Sequence, residues 1–139
     1  MGKSINDAMT SNPCAIDADK STAYAAKMMR DEDVGFAPIV EGDQLVGTVT
    51  DRDIAVKVVA EGKDPESTTV REIAATDLVT VSPQQGLDEA LRLMAHHQVR
   101  RLPVVEKDGS LVGVLAQADV AQEASADETG RLVEEISES

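Results

Sequence analysis

Val34 to Val56 reads VGFAPIVEGDQLVGTVTDRDIAV, and Val99 to Ala121 reads VRRLPVVEKDGSLVGVLAQADVA. The second stretch restates the first. Val34, Pro38, Val40, Leu45, Val46, Gly47 and Asp53 answer to Val99, Pro103, Val105, Leu111, Val112, Gly113 and Asp119. The offset is 65 residues before the turn and 66 after it, because EGDQ is one residue shorter than EKDGS. An internal repeat of this length fixes the architecture before any single motif does, and each copy serves as a control on the other.

Outward from this stretch the same order of elements recurs. A short extended segment, 13–16 or 78–81, precedes a helix. That helix carries Thr22, Ala25, Ala26 and Met29 on one face in the first copy, and Leu87, Ala90, Leu91 and Met94 in the second. Both sets follow the i, i+3, i+4, i+7 spacing of a helix that buries one stripe. Two apolar strands follow, 37–40 with 45–49 and 102–105 with 111–115. Glu41-Gly42-Asp43 and Lys107-Asp108-Gly109 between them are glycine–acid hairpin signals. A second helix begins near Asp51 and again near Gln117.

The expected fold class is α/β (α+β), with two tandem strand–helix–strand–strand–helix repeats. One unit alone cannot cover both faces of so small a sheet, so the repeats are expected to pack about a pseudo-twofold. The boundaries read as 1–60 for the first repeat, 61–69 for a polar linker and 70–122 for the second repeat. Residues 123–139 form an acidic tail, with six acids against one base, expected as a frayed or docked short helix.

The 139 residues include one Phe, one Tyr and no Trp, so the interior must be built from Val, Ile, Leu, Ala and Met. A net charge of −13 repels nucleic-acid phosphates and anionic membranes unless basic residues are segregated. The tightest basic knot, His96-His97-Gln98-Val99-Arg100-Arg101, is too short for a nucleic-acid footprint. Neither a leader nor an apolar run near the ~18 residues of a membrane span is visible, which points to the cytoplasm. Cys14 is the sole cysteine and is expected as a small buried thiol near a strand.

Gly47-Thr48-Val49-Thr50-Asp51-Arg52-Asp53 lies where a strand ends and a helix begins. Gly47 permits close backbone approach, the helix start offers free N–H groups to a phosphate, and Asp53 has the chemistry to accept both hydroxyls of a ribose. Thr50-x-x-Asp53 is equally a capping box, which binds nothing. The second copy, Gly113-Val114-Leu115-Ala116-Gln117-Ala118-Asp119, keeps the glycine and the acid without the cap hydroxyl. Retention of Asp119 in that context points to a role for the carboxylate itself.

The ordered set of helix ending in Met28-Met29 or Leu93-Met94, hydrophobic–Pro–hydrophobic strand and G-x-x-T-x-x-D segment resembles the CBS domain. The chain over about residues 5–122 is similar to a stand-alone CBS pair (a Bateman module), of the type of the hypoxic response proteins. The resemblance implies two clefts that take adenosine ligands such as AMP, ADP, ATP, NAD or S-adenosylmethionine. It places Asp53 on the ribose, Thr50 on ribose or phosphate, Thr48 against the base and Arg52 on phosphate, with Leu78, Thr80, Val99 and Arg100 as the opposite wall. The second cleft would use Asp119, Ala15, Val34, Gly35 and Arg101, with Ala116 departing from the family pattern.

The function implied is a non-enzymatic sensor that binds an adenine nucleotide or S-adenosylmethionine, forms a homodimer and signals to an effector protein by stabilising one arrangement of its repeats. The alternative is a ligand-free scaffold or stress protein acting through protein–protein contacts. Catalysis fits poorly, since no nucleophile–base–acid arrangement, P-loop or zinc spacing occurs. No cofactor or metal is expected: the adjacent His96 and His97 point apart and make a poor metal site.

Overall fold

The computed structural model describes residues 3–126, and of residues 124–126 only the backbone. The chain divides into two compact units: Pro13–Leu78, and residues 79–126 together with 3–12. Of the acidic tail expected over 123–139, residues 123–126 are helical and those beyond 126 lie outside the described residues.

The Pro13–Leu78 unit holds β2 (Ile16–Asp17), α2 (Thr22–Glu32), β3 (Phe36–Glu41), β4 (Gln44–Thr50), α3 (Asp51–Ile54) and α4 (Val70–Ile73). A π-helical segment, Ala55–Val59, continues α3. The sheet order is β2-β3-β4; β2 runs parallel to β3, pairing Ile16 with Ile39, and β3 runs antiparallel to β4. Gly42, at φ 62, makes the hairpin turn. The other unit holds α1 (Ile5–Ala8), β1 (Thr10–Ser11), α5 (Leu87–His97), β5 (Arg101–Val105), β6 (Leu111–Ala116) and α6 (Gln117–Ala126). Its sheet order is β1-β6-β5, with Val81 bridged in parallel to Val104 as Ile16 is to Ile39.

Sequence repeats and compact units are therefore offset by one element. The short helix that leads each repeat packs into the unit formed mainly by the other. Val70 and Ile73 of α4 join Ile16, Ala25, Met29, Ile39, Val49 and Val58 in the core of the first unit. Ile5 of α1 joins Val81, Leu91, Met94, Leu102, Leu115 and Val120 in the core of the second. The equivalence extends to single hydrogen bonds. Ile5 N–H donates to Gln85 O at 2.8 Å and Asn6 N–H to Pro83 O at 2.9 Å; Val70 N–H donates to Lys20 O at 2.9 Å and Arg71 N–H to Ala18 O at 3.1 Å.

Glycine makes this docking possible. A Cβ at Gly47 would stand 2.9 Å from the Ala74 Cβ and 3.1 Å from Ala75 O, and Ala75 exchanges backbone hydrogen bonds with Thr48 at 2.9 and 3.0 Å. At Gly113 a Cβ would meet Met9 Sδ at 2.6 Å and Thr10 O at 2.9 Å, where β1 pairs with β6. The close approach inferred for Gly47 is made by another stretch of this chain.

Three local expectations are corrected. Ala26 is exposed, and Met28 rather than Ala26 packs against the core beside Ala25 and Met29. Residues 13–15 lie outside the sheet, because Ala15 N–H turns back onto Pro13 O at 2.8 Å. Cys14 within that turn is exposed, not buried. Slight desolvation, then the charge of Glu32 and a hydrogen bond to it, push its thiol pKa up.

Candidate functional site

The junction of β4 with α3 carries the largest group of expected ligand residues. Thr50 is the helix N-cap in an extended conformation, and its hydroxyl accepts from Asp53 N–H at 3.1 Å. Asp53 Oδ2 in turn accepts from Thr50 N–H at 2.9 Å, so the capping box is complete. Asp53 Oδ1 faces Lys57 Nζ at 3.4 Å, and Lys57 also donates to Ile73 O at 3.2 Å. The carboxylate is thus held by the helix start on one oxygen and by a lysine one turn on by the other. Lys57 was missed in the sequence. The signal for it was the Asp53-x-x-x-Lys57 spacing, acid before base, which sets the pair on one helix face.

Thr48 lies half-buried on β4, opposite Pro38, with both its backbone groups paired to Ala75. Arg52 is exposed; its N–H donates to Asp51 Oδ1 at 2.8 Å, and its guanidinium has no partner among the described residues. Val34 and Gly35 follow the left-handed Asp33 that ends α2, and Gly35 O accepts from Asp51 N–H at 3.0 Å. A Cβ at Gly35 would meet Asp51 Oδ2 at 2.7 Å, so the glycine leaves room for that carboxylate. Leu78 closes this unit, half-buried, and Ala15 sits exposed in the turn before β2.

In the second unit Val99 and Arg100 follow Gln98, which ends α5 at φ 56 as Asp33 ends α2. Arg100 O accepts from Gln117 N–H at 2.8 Å, the counterpart of the Gly35–Asp51 bond. Thr80, Val99, Arg100 and Arg101 are exposed and Asp119 is half-buried. Each expected residue set is therefore divided between the units. Thr48, Thr50, Arg52, Asp53 and Leu78 belong to one and Thr80, Val99 and Arg100 to the other; Ala15, Val34 and Gly35 belong to one and Arg101 and Asp119 to the other.

Asp119 corrects an inference from sequence. Its Oδ2 accepts from Ala116 N–H at 3.0 Å, so half of the capping box survives without a hydroxyl, and retention of the acid has a local structural reason. The same bond recurs at the two leading helices. Ser4 N–H donates to Asp7 Oδ2 at 3.0 Å and Thr69 N–H to Glu72 Oε2 at 2.8 Å. An acid three residues past the cap is the common start of four helices in this chain.

Among the described residues no cluster of three or more His, Cys, Asp or Glu is placed to hold a metal ion, and no helix is long and apolar enough to cross a membrane. The His96 and His97 rings meet edge to face at 4.8 Å between centroids.

Comparison with known proteins matches residues 4–60 and 70–126 each to the CBS domain. The CBS domain-containing protein YhcV of Bacillus subtilis is 41% identical over 118 residues, 85% of this chain and 83% of that protein. Hypoxic response protein 1 of Mycobacterium tuberculosis is 37% identical over 117 residues, 84% of this chain and 81% of that protein. Among solved structures, Hypoxic Response Protein I with two coordinated zinc ions is similar with a TM-score of 0.78 at 36% identity, covering 86% of this chain and 98% of that one. CBSX2 in complex with AMP gives 0.81 at 26% identity, covering 91% and 99%. The CBS pair of MJ0100 with 5-methylthioadenosine and S-adenosyl-L-methionine gives 0.79 at 25%, covering 91% and 99%. Two matched repeats spanning most of the chain, and relatives aligned along most of their own length, place it: this protein belongs to the CBS-domain family and carries the domain twice in tandem.

Proposed function

We propose that the chain is a regulatory sensor, not an enzyme, that binds an adenosine-containing ligand between its two CBS repeats. In this reading Asp53 and Thr50 engage the ribose, Thr48 lies against the base and Arg52 meets phosphate. Leu78, Thr80, Val99 and Arg100 complete the pocket. A weaker second site uses Asp119, Ala15, Val34, Gly35 and Arg101. The ligand acts by favouring one arrangement of the repeats, and the protein works as a cytoplasmic homodimer whose output passes to an effector protein.

The observation that carries the reading is the fixed Asp53 carboxylate. One oxygen is held at 2.9 Å by Thr50 N–H, which leaves Oδ1, beside Lys57, oriented before any ligand arrives. Preorganisation of this kind reduces the ordering cost of binding. Support also comes from family membership and from the AMP and S-adenosyl-L-methionine seen in the complexes of CBSX2 and MJ0100.

The recurrence of the capping acid at four helix starts favours a second reading, a scaffold whose Asp53 and Asp119 serve only the fold. Thermal unfolding against AMP, ADP, ATP, NAD and S-adenosylmethionine separates the two. A ligand at 100 times its Kd adds about 2.7 kcal/mol. With an unfolding entropy of ~2.1 cal/mol/K per residue, that is about 9 °C for 139 residues. Asp53→Asn keeps an acceptor for the cap and removes the charge; it should abolish the ligand shift while leaving the ligand-free midpoint nearly unchanged. No shift with any compound supports the scaffold.

A further inference from the structure

The two units differ where the leading short helix meets the end of the first hairpin strand. In the Pro13–Leu78 unit, Arg71 of α4 lays its guanidinium between two acids: Nη1 lies 3.2 Å from Glu41 Oε1 and Nη2 3.2 Å from Asp19 Oδ1. The same position in the other unit is Asn6 of α1. Identity of position rests on backbone bonds, since Asn6 N–H meets Pro83 O as Arg71 N–H meets Ala18 O. Glu106 stands where Glu41 stands, and Gln84 where Asp19 stands.

An acid at the end of the hairpin's first strand is thus present in both units, Glu41 closing β3 and Glu106 directly following β5, while the arginine is present in one. A short side chain at Asn6 leaves an open cavity of about 460 Å³, lined among others by Met9, Pro83, Gln84, Glu106 and Val112. That volume is within the ~300–1,000 Å³ of small-molecule sites. The Glu106 carboxylate makes no hydrogen bond or ion pair among the described residues, whereas its counterpart Glu41 is bound to Arg71. Buried Pro83 and half-buried Met9 and Val112 offer apolar wall for the methylenes of a long cationic side chain.

We propose that this cavity binds a guanidinium group supplied from outside, with Glu106 as the charged partner and the Gln84 carboxamide oxygen in the place of Asp19. Arg71 shows the seating, because the chain fills the equivalent site of its own first unit in that way. The guanidinium is carried either by a free arginine-like compound or by an arginine of a partner protein. Nothing in the proposal depends on nucleotide binding.

The test is a two-dimensional amide NMR titration of the full ¹⁵N-labelled chain with N-acetyl-arginine amide and with the tripeptide Gly-Arg-Gly. Saturable shifts confined to Asn6, Gln84, Glu106 and Val112 are expected. Glu106→Gln should weaken them about fivefold, the upper range for a half-solvated ion pair. Asn6→Arg should abolish them by copying Arg71, and Arg71→Asn should open a second set of shifts at Asp19 and Glu41. Tighter binding of the tripeptide assigns a protein-borne arginine; tighter binding of the free amide assigns a small molecule. Absent or unsaturable shifts at these residues, or shifts unaffected by both Glu106→Gln and Asn6→Arg, overturn the proposal.

Discussion

Thr50→Ala and Ala116→Thr form a reciprocal pair, because Thr50 and Ala116 are the same position in the two repeats. At Thr50 the box has both arms, with Asp53 N–H on the hydroxyl at 3.1 Å and Thr50 N–H on the carboxylate at 2.9 Å. Removing the hydroxyl returns one helix-start N–H to water, and loss of a Thr cap typically costs about 1 kcal/mol. At ~2.1 cal/mol/K per residue over 139 residues, Thr50→Ala should lower Tm by about 3 °C. Ala116 already has the carboxylate arm at 3.0 Å and lacks only the hydroxyl. Ala116→Thr should therefore raise Tm by up to about 3 °C, the reverse of the Thr50→Ala loss. Thermal unfolding of the ligand-free protein, followed by far-UV circular dichroism, measures both. A Thr50→Ala protein as stable as wild type, or an Ala116→Thr protein less stable, refutes the capping account and leaves ligand contact as the role of Thr50.

Further outcomes follow from the same geometry. Gly47→Ala should destabilise by about 1–3 kcal/mol, as overpacking does. The new Cβ would press on Ala74 Cβ and Ala75 O, neither of which is a flexible side-chain end, and urea unfolding reads the loss. Cys14, although exposed, should be alkylated by iodoacetamide near neutral pH more slowly than a free cysteine, since its raised pKa lowers the thiolate fraction; Glu32→Gln should speed it. Glu72 has a lowered pKa, first from the hydrogen bond of Thr69 N–H and then from that of the Thr69 hydroxyl. A carboxylate depressed in the folded state contributes stability that is complete above the unfolded value, about 4.3. That stability is lost as pH falls through the folded value. Stability should therefore drop below about pH 4.3, and Glu72→Gln should shallow the decline in urea midpoints measured across that window.

Much of the architecture was legible because the repeat and the periodicities are local. Leu87, Ala90, Leu91 and Met94 all lie buried as the helical spacing predicts, and both hairpins form with glycine at positive φ in the turn. What the sequence hid is non-local or too short to carry a period. The four-residue helices α1 and α4 show one and two buried residues, so no stripe announces them. Their exchange between units depends on Gly47 and Gly113, whose need for close approach could be read but whose partners, Ala74–Ala75 and Met9–Thr10, could not. Cys14 was misplaced because a residue-type habit was applied to a position that the Pro13 turn holds outside the sheet. Asp119 keeps a capping role without a hydroxyl at residue 116, because a capping carboxylate needs only the N–H of Ala116, which every residue except proline provides.

Amide mapping on the full ¹⁵N-labelled chain, with AMP and S-adenosylmethionine titrated separately, decides whether the chain binds an adenosine-containing ligand through Asp53. Saturable shifts are expected with at least one of them at Thr48, Thr50 and Asp53 together with Thr80, Val99 and Arg100, all lost in Asp53→Asn. Unchanged spectra with both compounds, or shifts that persist undiminished in Asp53→Asn, contradict binding through Asp53.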